Sequence, residues 1–178
     1  MIVSILDFMD FKIYIQLKDI LSIIDRFSDN WGIVGGIPRE YFVYNKKLKI
    51  KEIDILIEDV NNQKIVKNII EYLKQNYDNY IEKIVYHDKF LTGNIKFKGY
   101  NIDLITAREE KYENIASLPI VNPSNLVKDL YRRDITINSI LFKKIDFKDN
   151  IYYFEVIDVV NSIEDIKKKI SISYMKIL

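Results

Sequence analysis

The chain has 178 residues, 48% of them apolar and 30% charged, which suits one soluble globular domain with a sizeable core. Its 27 Lys and Arg residues nearly balance 26 Asp and Glu, so any binding to nucleic acid must depend on local patches rather than a global field. There is no cysteine and one histidine, His87, which excludes disulfides, thiolate catalysis and cysteine-ligated zinc and argues against histidine-rich metal sites.

The opening MIVSILDFMDF lacks a basic stretch and a small-residue cleavage site, so no signal peptide is expected. No apolar run reaches the roughly 18 residues of a membrane helix, and a cytoplasmic location without membrane contact is expected. Leu17, Ile20, Leu21, Ile24 and Phe27 recur at helical spacing and predict an amphipathic helix over 13–28. Trp31 to Val34 reads as a strand, and Gly35-Gly36 as a turn that opens a short helix, with Pro38 tolerated in its first turn. Glycines at a helix head let backbone N–H groups approach an anion such as phosphate. Lys46, Lys47, Lys49 and Lys51 follow, either as a solvated loop or as a patch that attracts triphosphate or an RNA backbone.

On the next strand Glu52 and Asp54 point to one face while Ile53, Ile55 and Ile57 point to the other. Adjacent carboxylates repel, and a hard cation such as magnesium would keep both ionised. Asn61 or Asn62 is expected to cap a packing helix with Ile65, Val66, Ile69, Ile70 and Leu73 on one stripe. Tyr80–Tyr86, Asn94–Phe97 and Asn101–Ile105 read as strands, the last two joined as a hairpin at Gly99-Tyr100. His87 is taken as an ordinary strand-end residue. If the strand of Asp103 lies beside that of Asp54, the acids form a three-carboxylate cluster for two divalent ions. In 123–142, Leu126, Val127 and Leu130 predict one helix and Ile137, Ile140 and Leu141 a second, closed and opened by Arg132-Arg133 and Asp134. Ile151–Val156 reads as a last strand, and Ser162 with Asp165 as the capping pair of a final helix over 162–170.

The segments VGGIPRE (34–40) and KEIDILIED (51–59) resemble the head-domain signature of class II tRNA nucleotidyltransferases and bacterial poly(A) polymerases, in the polymerase-beta nucleotidyltransferase superfamily. Relatives show Gly-Gly-x-x-Arg-Asp and Asp-x-Asp where this chain has Arg39-Glu40 and Glu52-x-Asp54. Phe90-Leu91-Thr92, Asp103, Thr106, Arg108 and Tyr112 match the family in order, with Leu91 where glycine is usual. The run Asp129 to Asn138 is similar to the family block Asp-Leu-x-Arg-Arg-Asp-Phe-Thr-Ile-Asn, with Ile135 at the Phe position. Asp158 to Ile166 resembles the exit from the head, without its proline and glycines.

The resemblance implies an α/β (α+β) fold with a mixed, mainly antiparallel sheet flanked by helices. It implies a single nucleotidyltransferase head over 1–178, with a core over 31–158 and without neck, body or tail domains. Glu52, Asp54 and Asp103 would be the catalytic metal ligands for magnesium or manganese. Gly35, Gly36, Arg39, Arg133, Asp134 and Asn138 would bind the nucleotide. The expected reaction adds a nucleotide from ATP or CTP to an RNA 3′ end, such as that of tRNA, releasing pyrophosphate. A separate protein supplying neck and body domains is an expected partner. The alternatives are a weak or inactive nucleotide-binding subunit of a split enzyme and a transferase acting on another acceptor.

Overall fold

The computed structural model describes residues 1–114 and 117–168. In chain order its elements are β1 (Ile2–Ser4), α1 (Ile5–Phe8), α2 (Phe11–Phe27), β2 (Trp31–Val34), α3 (Gly36–Tyr44), β3 (Glu52–Ile57), α4 (Ile65–Asn76), β4 (Ile81–His87) and β5 (Thr92–Phe97). They continue with β6 (Tyr100–Thr106), β7 (Arg108–Lys111), β8 (Ile120–Pro123), α5 (Leu126–Tyr131), β9 (Ile140–Lys148), β10 (Ile151–Asp158) and α6 (Ser162–Lys167). Two 3-10 turns lie at Asp78–Tyr80 and Thr136–Asn138.

Eight strands make one sheet in the order β1-β10-β9-β2-β3-β6-β5-β4, and β7 and β8 form a separate ribbon. Every neighbouring pair in the large sheet is antiparallel except β3 with β6. The expected mixed, mainly antiparallel architecture is therefore the observed one. Period-2 patterning explains why the sheet holds two unequal cores. Ile53, Ile55 and Ile57 of β3, with Ile102 and Leu104 of β6, join α2 and α4 in the main core. Leu56 falls on the opposite face and packs with Val34, Ala107, Leu126, Leu130 and Leu141 in a smaller cluster under α5. Asp54 shares the parity of Leu56, and Asp103 that of Ile105, so both acids rise from this second face.

The first long helix runs over Phe11–Phe27, capped by Asp10, whose Oδ1 accepts from Lys12 N at 2.8 Å. Three local expectations are corrected. Neither Asn61 nor Asn62 caps α4: Asn62 takes a left-handed φ of 51°, and the buried Asp59 carboxylate instead receives the N–H groups of Gln63 and Ile65 at 2.8 and 3.1 Å. The helix expected around Ile137, Ile140 and Leu141 is the 3-10 turn Thr136–Asn138 followed by β9. Ile140, Leu141 and Phe142 are buried in succession because the start of β9 lies inside the sheet with both faces covered, a run that periodicity alone cannot separate from a helix. At α6 the residue before the helix is Asn161, and Asp158 rather than Ser162 accepts the free N–H groups, from Ser162 and Ile163 at 2.8 and 2.9 Å. The predicted end of that helix at 169–170 lies outside the described residues.

Candidate active site

Gly35 ends β2 with a φ of 74°, a conformation that L side chains rarely adopt. A Cβ there would run into the Asp54 carboxylate, so glycine is required both by the turn and by the acid beside it. The turn aims the start of α3 along the carboxylate face. Arg39 N is held by Gly35 O at 3.4 Å and Pro38 has no N–H, which leaves the Gly36 and Ile37 amides at the positive end of the helix.

Parallel pairing sets Asp54 of β3 directly opposite Asp103 of β6, as the sequence required for a shared site. Glu52 stands two residues before Asp54 at the exposed start of β3. Burial, and then the neighbouring Asp103 and Glu52, push the Asp54 carboxyl up to about 6, while Arg133 and Arg39 pull the other way. The donor set is all oxygen, which fits magnesium or manganese, and the raised Asp54 carboxyl is the group a cation would relieve. The expected three-carboxylate cluster is nevertheless not a closed cage. Among the described residues, no three His, Cys, Asp or Glu side chains gather closely enough to hold an ion alone. Magnesium commonly completes such a shell with water and substrate phosphates.

The carboxylates form a ridge between two cavities. The first, about 630 Å³, is lined by Gly35, Gly36, Arg39, Arg133 and Asn138 on one side and by Lys49 and Lys51 on another. The second, about 500 Å³, lies over β4, β5 and β6, with Lys83, His87, Asn94, Lys96 and Asp103 in its walls. Glu52, Asp54 and Asn101 belong to both. Of the nine predicted site residues, Asp134 alone reaches neither cavity; it is exposed, and its charge acts on Tyr112.

A buried acid that was not assigned a role organises the arginines. Asp129 is fully buried and accepts Arg132 at Oδ2 (3.0 and 2.8 Å) and Arg133 at Oδ1 (3.2 and 2.9 Å). Its Oδ2 also takes Arg108 N at 3.1 Å. Arg132 and Arg108 further pair with Glu110 at 3.1 and 3.0 Å. Burial works to raise Glu110, but the Tyr112 hydroxyl and both guanidinium groups outweigh it and hold the carboxyl below its ordinary range. The signal for Asp129 lay in the chain: an acid at i before arginines at i+3 and i+4 on a helix with an apolar stripe. Asn138 accepts Arg39 at 2.6 Å, so the 3-10 turn steers the arginine of α3. That turn is anchored by Thr136, which donates to Asp165 at 2.8 Å and accepts Ser162 Oγ at 2.6 Å. Leu91, where relatives carry glycine, adopts a φ of 54°, so the chain keeps the left-handed turn at the cost of about 1 kcal/mol.

The lysines after α3 are presented by alternation. Leu48 and Ile50 are buried, Leu48 N donates to Phe8 O at 2.9 Å, and Lys46, Lys47, Lys49 and Lys51 are left exposed.

Comparison with known proteins agrees with this fold. The family described as "Poly A polymerase head domain" matches residues 31–171. The A-adding tRNA nucleotidyltransferase of Aquifex aeolicus is 28% identical over 138 residues, 78% of this chain and 15% of that protein. The mitochondrial CCA tRNA nucleotidyltransferase of Saccharomyces cerevisiae is 28% identical over 127 residues, 65% of this chain and 22% of that protein. Among solved structures, an apo form of a CCA-adding enzyme superposes with a TM-score of 0.65 at 31% identity, covering 94% of this chain and 37% of that one. The Thermotoga maritima CCA-adding enzyme complexed with tRNA has a TM-score of 0.59 at 26% identity, covering 93% of this chain and 34% of that one. The chain thus spans between about a seventh and two fifths of the length of these four relatives. Over most of its length, from β2 to the end of the described residues, the chain belongs to the poly(A) polymerase head-domain family.

Proposed function

We propose that the chain is the catalytic head of a nucleotidyltransferase that moves a nucleotide from ATP or CTP to an RNA 3′ end, tRNA being the acceptor that its relatives suggest. The observation that carries this reading is the in-register pair Asp54 and Asp103 beside a helix start that presents free amides. Gly36 and Ile37 amides, with Arg39 and Arg133, receive the triphosphate in the first cavity. Asn138 orients Arg39, and Asp129 holds Arg133. Asp54 and Asp103, with Glu52, would hold magnesium or manganese, which when bound supplies charge neutralisation and activation of the attacking hydroxyl. The acceptor end is assigned to the second cavity, whose walls carry Lys83, and Lys96 in an ion pair with Glu82. The acceptor's terminal hydroxyl gives its proton to solvent as the oxygen bonds to the α-phosphorus, the bond from that phosphorus to the oxygen bridging to the β-phosphate breaks, and pyrophosphate leaves. The residues act by positioning and electrostatics, with no covalent intermediate.

Because the relatives are much longer, the surfaces that grip the body of the RNA are assigned to other polypeptide, on this chain's own gene product or on a partner. Glu52, exposed and one methylene longer than Asp, favours one second reading: a nucleotide-binding subunit of low activity. Transfer of label from α-labelled ATP and CTP to tRNA lacking its terminal nucleotides separates the two. Transfer by the wild type that Asp54→Ala lowers at least ~1000-fold supports the enzyme. Metal-dependent triphosphate binding without transfer to any RNA supports the subunit.

A further inference from the structure

The second cavity contains a line of three side chains across three strands. His87 Nε2 lies 2.8 Å from Asn94 Oδ1, to which its Nε2–H tautomer donates, and Asn94 Nδ2 donates to Asp103 Oδ1 at 2.7 Å. Asn94 on β5 is the cross-strand partner of Asp103 on β6, so sheet register fixes that contact. Asn94 is half-buried, and His87 lies at the exposed end of β4. An asparagine amide can face a carboxylate with either end, and only its NH₂ end is attractive to an ionised acid. His87, as the Nε2–H tautomer, selects that end. With Oδ1 occupied by the imidazole N–H, Nδ2 is the end left for Asp103.

We propose that Asn94, oriented by His87, is a positioning residue for Asp103: it takes up Oδ1 and leaves Oδ2, which has no hydrogen bond to any described residue, as the oxygen offered to a divalent cation. The inference rests on the nucleotidyltransferase reading of the site and extends it to residues beyond the carboxylates. Such partners orient a ligand and tune its basicity, and their loss commonly costs tenfold or more in metal affinity. Neither residue touches the nucleotide cavity, so a role here is separable from triphosphate binding.

The test uses the full chain and Mn²⁺ alone, with bound ion counted by electron paramagnetic resonance and folding checked by thermal melting. Asp103→Asn serves as the reference for loss of the ligand. Asn94→Ala is expected to weaken Mn²⁺ about tenfold and His87→Ala by a smaller factor. His87→Gln, whose amide also donates to Asn94, is expected to bind nearly as the wild type does. A Mg²⁺ titration should also move the single imidazole's nitrogen resonances in the wild type and leave them unmoved in Asn94→Ala. If Asp103→Asn loses Mn²⁺ while Asn94→Ala and both His87 variants keep wild-type affinity, the positioning role is overturned and the active-site reading stands. If the wild type binds neither Mn²⁺ nor Mg²⁺ with triphosphate, both are overturned. Should Asn94→Ala melt early, the His87→Ala and His87→Gln pair decides, because the exposed imidazole is replaceable without opening the core; equal affinities in that pair overturn the role.

Discussion

At the scale of single residues, Asp54 carries the clearest consequence. Its carboxyl ionises at about 6 in the fold, above the ~3.9 of an unfolded aspartate. Ionisation therefore favours the unfolded chain. The contribution of this group to stability is complete below about pH 4 and is lost as pH rises through about 6. Without divalent cations, urea midpoints between pH 4 and 7 should fall more in the wild type than in Asp54→Asn, and the difference between the two curves isolates the one carboxyl. A parallel fall in both would remove the burial and repulsion assigned to Asp54. The pairing of Glu52 with Asp54 was legible from strand parity, and Asp103 was legible as a candidate because an acid stood among Ile102, Leu104 and Ile105. That the two aspartates lie in register was not. It depends on which strands neighbour each other, and local pattern carries no such information. His87 and Asn94 were missed for the same reason, since neither is unusual until three strands are laid side by side.

At the scale of elements, α5 and the 3-10 turn after it show how much a motif conceals. The Asp129-to-Asn138 block was recognisable, yet its physical centre is Asp129, a fully buried carboxylate that satisfies two guanidinium groups and a backbone amide. Asp129→Ala would leave Arg133 desolvated without its carboxylate and Arg132 with Glu110 alone, a change that costs about 3–5 kcal/mol. Urea unfolding of Asp129→Ala should show that loss, whereas Asp134→Ala, at an exposed position, should change stability by no more than ~0.5 kcal/mol. Equal effects would mean that the buried network is not what holds the arginines. The same block misled at its end. Isoleucines at 137 and 140 have helical spacing, and tertiary context chose a strand for the second because β2 and β10 offer ladders on both sides of β9.

For the whole molecule, a formal charge of +1 gives no long-range attraction to a polyanion, so the local placement of lysines matters. Burial of Leu48 and Ile50 holds Lys49 and Lys51 at the mouth of the first cavity, and the same two line a hollow that continues to Lys98. If this strip follows an RNA backbone, replacing Lys49 and Lys51 together by Gln should reduce the slope of log affinity against log salt by about 1.4 for single-stranded RNA. ATP affinity should stay unchanged. An unchanged salt slope with weaker ATP binding would reassign the strip to the triphosphate. Composition foretold that a local patch was needed, and the sequence showed where lysines cluster. Their rigid presentation came only with the strap that ties Leu48 to Phe8.

The lone parallel pairing in the sheet also bears on how the site comes into being. β2, α3 and β3 are consecutive in the chain, and so are β4, β5 and β6; each group closes by connections to its own neighbours. One group carries the glycine turn with Asp54, the other Asp103 with its asparagine and histidine. The β3–β6 ladder joins these two groups, and Asp54 and Asp103 face each other across it. Parting that one ladder would separate the two aspartates, so their juxtaposition depends on a pairing between segments distant in the chain.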